Sequence, residues 1–359
     1  MASTTPDDAY ITRVSTVDPI RAATDITYAL SFGKSPGFVA YDPSFHTIIG
    51  AHASLRKIAV RDFQFAHEAG VYVKRTNAVY FTANFQTCDP ISLFSVNCTT
   101  HEIQQHEFKD VVMANGACHY QDSILYCSQG NMTVPSALVL VDPVTEESKV
   151  LINNFHGRQF SSINDVVVNH DTGDIWFTDP TYGYHQAFRP LPELPAQVYR
   201  FSPLTGECWA VADGFEMCNG LCFSPDYKIL YVTDTAAVGA HDGPGDGHNM
   251  KHDKHKPATI YAFEVSPEGT AVYNRRLFAY CANGIPDGIK CDAKGNVYSG
   301  CGDGIHVWNP FGTLVGKIAT GDVVANFCFT KGGIWILAEK ELYFAEIDTQ
   351  GTLVSIECE

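Results

Sequence analysis

Short apolar stretches broken by polar turns recur throughout this 359-residue chain. The segment VVVNHDTGDIWFTD, for example, places two alternating apolar runs on either side of a turn that contains Asp and Gly. This pattern predicts a tight β-hairpin. It occurs six times, at Gly70–Ala83, Ala117–Ser128, Val166–Asp179, Leu221–Asp234, Ile289–Gly300 and Phe327–Ala338.

A second type of hairpin lies between these copies, as in VYRFSPLTGECWAV and YAFEVSPEGTAVY. Two hairpins make a four-stranded sheet, and such a sheet buries both of its faces only by stacking against its neighbours. The repeats therefore predict an all-β fold, a six-bladed β-propeller that forms a single domain over residues 1–359. We expect the extra run FVAYDPSFHTIIG, residues 38–50, to join the last blade and close the ring, which removes an open sheet edge.

A side chain that carries oxygen precedes each copy of the first hairpin, and an aromatic residue lies within each copy. Because the innermost strands of a propeller begin near its channel, we expect the six polar side chains to converge on the axis. The polar residues are Glu68, Asn115, Asn164, Asn219, Asp287 and Asn326. The aromatic residues are Tyr80, Tyr126, Trp176, Tyr231, Tyr298 and Trp335.

Carboxylate and amide oxygens without Cys or clustered His indicate a site for a hard divalent cation. Ca²⁺ is the first choice because it accepts these ligands in flexible numbers, and Mg²⁺ is the alternative. Glu68 and Asp287 would neutralise the charge of the ion. The pattern leaves open whether the ion is catalytic or structural.

Composition and charge narrow the function classes. The formal net charge is −16 and no basic stripe is present, so we expect a small-molecule substrate and neither a nucleic-acid nor a membrane partner. The first 25 residues lack the apolar stretch of a signal peptide, which favours a cytoplasmic protein, although sequons at Asn97 and Asn131 leave secretion open. The twelve scattered cysteines are interpreted mostly as buried thiols. The oligomeric state stays open.

Several segments resemble the fungal lactonohydrolases, of the D-pantolactone hydrolase type, within the SMP-30/gluconolactonase/lactonohydrolase family. They include NNFHGRQFSSINDVVVN, GDIWFTDPTYGY, NGLCFSPD and NGIPDGIKCDAKGNVYSG. The resemblance runs from about residue 38 to residue 345. It implies a six-bladed propeller and a calcium-dependent esterase or lactonase.

The resemblance also implies roles for individual residues. It assigns the metal to Glu68, to Asn164 in an Asn-Asp motif, to Asn219 in an Asn-Gly motif and to Asp287 in a Pro-Asp-Gly motif. The catalytic candidates are Asp287 as general base, Glu68, and Asn115 directed at the substrate or at a metal-bound water. The candidates for substrate binding are Asn115, Asn326, Tyr182, His67 and His306.

Departures from the family pattern leave the substrate open. Ala-Asn-Gly-Ala at residues 114–117 replaces Pro-Asn-Gly-Gly, and residues 128–133 lack the acidic Gly-rich stretch of the relatives. A lactone hydrolase is the leading hypothesis. A biosynthetic cyclase or pericyclase on the same scaffold is the alternative, and a non-catalytic binding propeller is the third reading. The His-rich loop 236–257 is interpreted as a mobile lid in preference to a second metal site.

Overall fold

The computed structural model describes residues 10–17, 34–85, 90–239 and 251–352. Within these ranges the chain forms six sheets of four or more strands, numbered here as blades 1 to 6 in chain order. Their pairing is antiparallel except between Val14–Thr16 and Gly37–Ala40, which pair in parallel. The innermost strand of blade 6 contacts that of blade 1, so the blades form a closed ring. The prediction of a six-bladed β-propeller is confirmed.

Each blade follows the order of the repeats, with the first hairpin nearest the channel. From the inside outward, blade 1 contains Glu68–Val73, Ala78–Thr82, Leu93–Asn97 and Ile103–His106. Blade 2 contains Ala114–Tyr120, Ser123–Ser128, Ala137–Val141 and Ser148–Ile152. Blade 3 contains Val166–Asn169, Asp174–Asp179, Gln197–Phe201 and Cys208–Ala212.

The remaining blades include the N-terminal strands and flank two short ribbons. Blade 4 contains Cys218–Phe223, Ile229–Asp234, Thr259–Val265 and Val272–Tyr280. Blade 5 contains Ile289–Cys291, Val297–Cys301, Gly304–Trp308, Leu314–Ala319, Gly37–Ala40 and Val14–Thr16. Blade 6 contains Asn326–Thr330, Gly333–Ala338, Glu341–Glu346 and Ser54–Val60. The ribbons pair Asn154–Phe155 with Arg158–Gln159 and Val238–Gly239 with Lys251–His252.

An N-terminal strand closes the ring, but it is not the one that the sequence suggested. Ser54–Val60 pairs with Glu341–Glu346 at the outer edge of blade 6. The run over residues 38–50 instead contributes Gly37–Ala40 to blade 5 and continues into the helix Ser44–Ile49. Assigning that run to the last blade was therefore wrong. Its apolar residues Phe45, Ile48 and Ile49 follow the spacing of a helix face and are buried.

Helix is limited, among the described residues, to Ser44–Ile49 and Tyr182–His185. Neither is long and apolar enough to cross a membrane. The ten cysteines within the described ranges are free thiols, and seven of them are buried, which agrees with the sequence interpretation.

The hydrophobic core consists of separate layers between neighbouring blades. Trp176 of blade 3, for example, packs edge-on against Phe223 of blade 4, with ring centroids 5.5 Å apart. Equivalent clusters fill the other five blade interfaces. Since each blade is fixed by both neighbours, the ends of the innermost strands are held in place around the channel.

Candidate metal centre and active site

Backbone irregularities aim the predicted side chains into the channel. The pairing between the first and second strands shifts just after Glu68, around Asn115 and around Asn219. A β-bulge of this kind bends a strand and redirects its side chains, and bulges often occur beside active sites. The inner strands therefore turn oxygen-bearing side chains inward where the blades meet.

The glycines that directly follow Asn219 and Asp287 allow neighbouring blades to approach closely. A Cβ atom on Gly220 would lie 2.5 Å from the Asp287 carbonyl oxygen. A Cβ atom on Gly288 would lie 2.4 Å from Cγ of Asn326. The Asn-Gly and Asp-Gly pairs are thus required by the close packing of the inner strands.

These strands enclose a cavity of about 280 Å³ at one end of the channel. The structure brings together there all four residues to which the resemblance assigned the metal, together with three further residues assigned to catalysis or substrate binding. The seven are Glu68, Asn164, Asn219, Asp287, Asn115, Tyr182 and His67. A second, smaller space of about 90 Å³ continues along the inner strands and is lined by residues such as Cys222, Cys291 and Tyr227.

Two oxygens in the cavity have no hydrogen-bond partner among the described residues. They are Oδ1 of Asn164 and Oδ1 of Asp287, and both are buried. A buried polar atom without a partner is costly, so such atoms call for a ligand. Glu68 adds a buried carboxylate whose Oε2 accepts hydrogen bonds from the Ala69 N–H at 3.1 Å and the Asn326 amide at 2.8 Å. This set of oxygen donors fits a hard divalent cation.

The electrostatics of the cavity also favour a cation. Burial, followed by the negative charge of Glu68, raises the pKa of the Asp287 carboxyl well above its usual range. Burial similarly raises the pKa of the neighbouring Asp165 carboxyl to about 7, although the Lys290 charge opposes this shift. Carboxylates that are buried close together are destabilised in their charged forms. A bound cation would relieve this repulsion and return Asp287 to its ionised form.

Threonines on the second strand of one blade donate hydrogen bonds to the backbone of cavity residues in the next blade. The Thr178 hydroxyl donates to the Asn219 carbonyl at 2.7 Å, and the Thr233 hydroxyl donates to the Asp287 carbonyl at 3.2 Å. The sequence reasoning missed this threonine row, which includes Thr178 and Thr233. Its signal was the recurrence of Thr in YFTA, WFTD and YVTD.

His67 reaches the cavity as part of a partly buried ion pair that the sequence reasoning also missed. Its Nδ1 lies 2.8 Å from Oε1 of Glu339, and the Asn84 amide lies beside both groups. Burial lowers the pKa of His67, but the charge of Glu339 and the hydrogen bond to it outweigh burial and raise the pKa to about 9. Glu339 directly follows the second strand of blade 6, and an acidic residue at this strand end was the available signal.

The other three candidates for substrate binding differ in their positions. Tyr182 lies buried on the cavity wall, and its hydroxyl bonds to the Thr235 hydroxyl. Asn326 is not among the cavity-lining residues and instead donates its amide to Glu68.

His306 is not in the cavity wall either. It is buried inside blade 5, where its Nε2 lies 2.6 Å from Oδ1 of Asp303. Lys317 bonds to the other oxygen of Asp303 at 3.0 Å. This position gives no support to a substrate contact by His306.

The His-rich loop is described only at its two ends. The ribbon Val238–Gly239 with Lys251–His252 brings Val238 to the cavity wall. Residues 240–250 lie outside the described residues, so the lid interpretation stays a prediction.

Comparison with known proteins agrees with this arrangement. The family model described as the SMP-30/Gluconolactonase/LRE-like region matches residues 67–345. Lactonohydrolase oryL of Aspergillus oryzae is 33% identical over 284 residues, which cover 75% of this chain and 65% of that protein. The gluconolactonase of Zymomonas mobilis is 28% identical over 208 residues, which cover 55% of this chain and 53% of that protein. The match thus spans less than two thirds of the length of either relative.

A solved structure shares the fold at lower sequence identity. A gluconolactonase from Xanthomonas campestris superposes with a TM-score of 0.69 at 23% identity, covering 86% of this chain and 94% of that one. The family match extends over most of the chain and over every blade. The chain belongs to the SMP-30/gluconolactonase/LRE-like family.

Proposed function

We propose that this protein is a calcium-dependent hydrolase that opens a lactone or a related ester. The observation that carries the proposal is the pair of buried oxygens of Asn164 and Asp287, which have no partner in the described part of the chain and lie beside the Glu68 carboxylate. The names of the relatives, lactonohydrolase and gluconolactonase, support a lactone as the substrate.

Calcium fits the donor set better than other common cations. Glu68 and Asp287 supply two negative charges, and Asn164 and Asn219 supply neutral oxygens. Zn²⁺ prefers nitrogen and sulfur donors, whereas Mg²⁺ demands near-ideal octahedral geometry and retains several waters. Ca²⁺ accepts carboxylate and amide oxygens in flexible numbers. When bound, the cation would supply Lewis-acid polarisation of a substrate carbonyl.

Asn115 is positioned to stabilise negative charge on the substrate. Its Oδ1 accepts the Gly116 N–H at 3.0 Å, which fixes the orientation of the amide. The Nδ2 hydrogens then serve as donors on the cavity wall, where an oxyanion develops during attack on a carbonyl. Asn115 therefore has the role of an oxyanion donor.

Asp287 is the general base in this proposal. Its carboxylate has two oxygens, so one can hold the cation while the other accepts the proton of an attacking water. His67 is less suitable, because its pairing with Glu339 raises its pKa to about 9 and keeps it protonated near neutral pH. Since protonated Asp287 cannot act as a base, turnover should rise as the pH is raised through its titration.

The lining of the cavity also includes apolar side chains. These are Phe85, Val238, Ile285 and Val323. Apolar side chains leave sugar hydroxyls without hydrogen-bond partners. We therefore infer that the substrate carries an apolar substituent on its lactone ring.

A pH-stat assay on five- and six-membered lactones tests the function. Wild type loaded with calcium should release acid from at least one lactone, and EGTA should abolish this activity until calcium is restored. Asp287→Asn should lose nearly all turnover, whereas the surface control Asp226→Asn should retain it. If folded, calcium-loaded wild type opens none of the lactones, hydrolysis is rejected and the cyclase or pericyclase alternative takes its place.

A further inference from the structure

Two thiols and an imidazole converge where blades 4 and 5 meet, beside the cavity but apart from its oxygen donors. Cys281 follows the outer strand of blade 4, Cys301 ends the second strand of blade 5, and His306 lies on the third strand. All three side chains are buried, and one potential ligand atom from each lies within 4.8 Å of the others. Neither lactone opening nor the proposed calcium site uses this cluster.

The donor chemistry of the cluster differs from that of the cavity. Two sulfurs and one nitrogen suit a borderline-soft ion such as Zn²⁺, not Ca²⁺. In a tetrahedral zinc site with bonds of about 2.3 Å, ligand atoms lie about 3.7 Å apart. The three atoms therefore need to approach by only about 1 Å to surround an ion.

The surroundings of His306 match those of a metal-bound histidine. Asp303 Oδ1 lies 2.6 Å from Nε2 and holds the ring by that nitrogen. A carboxylate that accepts the N–H of one ring nitrogen leaves the lone pair on the other nitrogen and raises its basicity, as is common next to zinc. Asp303 is itself anchored by Lys317 at 3.0 Å.

The charges of such a site would balance within the buried region. Two thiolates would cancel the charge of a divalent cation, and Asp303 and Lys317 cancel each other. Buried charge is tolerated when it is paired in this way. The vacant fourth position would be reached from the cavity, because Cys301 and Gly302 form part of its wall.

We propose that Cys281, Cys301 and His306 bind one zinc-type divalent cation. The site would join the segment after blade 4 to the hairpin formed by the second and third strands of blade 5. The same segment already bonds to that hairpin through the Gly302 N–H, which donates to the Asn283 carbonyl at 2.9 Å. Further along it, Ile285 lines the cavity and Asp287 follows. The ion would thus fix the wall of the cavity next to the proposed general base.

Cobalt(II) provides a spectroscopic test that does not depend on activity. Reduced, chelator-treated protein is titrated with Co²⁺ alone, and tetrahedral thiolate coordination should produce visible d–d bands and near-ultraviolet sulfur-to-cobalt absorption at one equivalent per chain. Cys281→Ser and Cys301→Ser should lose these bands. Cys222→Ser is the matched control, because Cys222 and Cys291 form another buried pair, with sulfurs 3.7 Å apart, and should not contribute.

Further variants keep the test decisive and separate it from the calcium site. Asp303→Asn should weaken Co²⁺ binding about 10–100-fold, the usual effect of removing a partner of a metal-bound histidine. His306→Asn retains both thiols but removes the nitrogen ligand, so it should weaken Co²⁺ binding and change the d–d bands even if the serine variants fail to fold. Glu68→Gln should retain them, so the failure of one metal site does not imply failure of the other.

Three results would overturn the proposal. The first is reduced wild type that shows no sulfur-to-cobalt absorption at saturating Co²⁺. The second is an unchanged cobalt spectrum in Cys281→Ser or Cys301→Ser, since the sulfurs would then come from elsewhere. The third is a Cys281–Cys301 disulfide as the stable form in freshly purified protein, which intact-mass analysis before and after reduction identifies.

Discussion

The substitution Thr178→Val tests whether the threonine row positions the cavity residues. The Thr178 hydroxyl donates to the Asn219 carbonyl at 2.7 Å and accepts the Asp165 N–H at 3.1 Å, and the side chain is fully buried. Valine keeps the shape but leaves both backbone groups without this partner. An unsatisfied buried group costs about 1–3 kcal/mol. We expect the free energy of unfolding to fall by an amount in the upper part of that range.

The same substitution should weaken calcium binding, because Asn219 is a proposed ligand. A backbone shift that costs about 1 kcal/mol in the bound state lowers the affinity about fivefold. Urea unfolding measures the first effect, and calorimetric titration with calcium measures the second. Thr82→Val is the matched control, since Thr82 reaches the carbonyl of Asn115, not a proposed ligand, at the long distance of 3.4 Å.

The positioning role of Thr178 is refuted if Thr178→Val unfolds at the same urea concentration as wild type. It is also refuted if Thr82→Val weakens calcium binding as much as Thr178→Val does. In either case the threonines would not position the ligands.

Three further predictions concern the cavity. Asn115→Ala should lower lactone turnover about 10²-fold and leave calcium affinity unchanged, and unaltered turnover would remove Asn115 from catalysis. Because burial raises the pKa of Asp287, calcium affinity should fall as the pH falls; calorimetry in two buffers should detect proton release, and a pH-independent affinity would contradict this. The pKa of His67 is raised from 6.5 to about 9, so its ion pair stabilises the calcium-free fold below pH 6.5 and loses this effect as the pH rises to about 9. Glu339→Gln should flatten that part of the stability curve in urea titrations, and an unchanged slope would show that Glu339 is not responsible.

The repeat made the fold predictable, because period-2 alternation and turn residues report local structure directly. In blade 2, however, the alignment of the aromatic residue with those of the other repeats was off by one position. Tyr126 was matched with Trp176, yet it packs against Phe108 on the blade 1 side, with ring centroids 5.9 Å apart. Leu125 is the residue that faces blade 3. A shift of one residue reverses the face of a strand, and only packing reveals it.

The gathering of oxygen-bearing side chains was predictable because each repeat carries one of them at the same position. The cavity gathers Glu68 and Asp287 as expected, but the sixth repeat residue, Asn326, bonds to Glu68 and does not line the cavity. Glu339 pairs with a histidine 272 residues away in the sequence. Such long-range partners depend on ring closure, which the local pattern does not encode.

A crystal soaked in calcium chloride tests the calcium site most directly, through the anomalous difference map of the cavity. One peak is expected within about 2.3–2.6 Å of side-chain oxygens from the four proposed ligands. These are Glu68, Asn164, Asn219 and Asp287. An empty cavity in crystals of a preparation that opens lactones would contradict the calcium-dependent mechanism, as would a peak bound by a different set of residues.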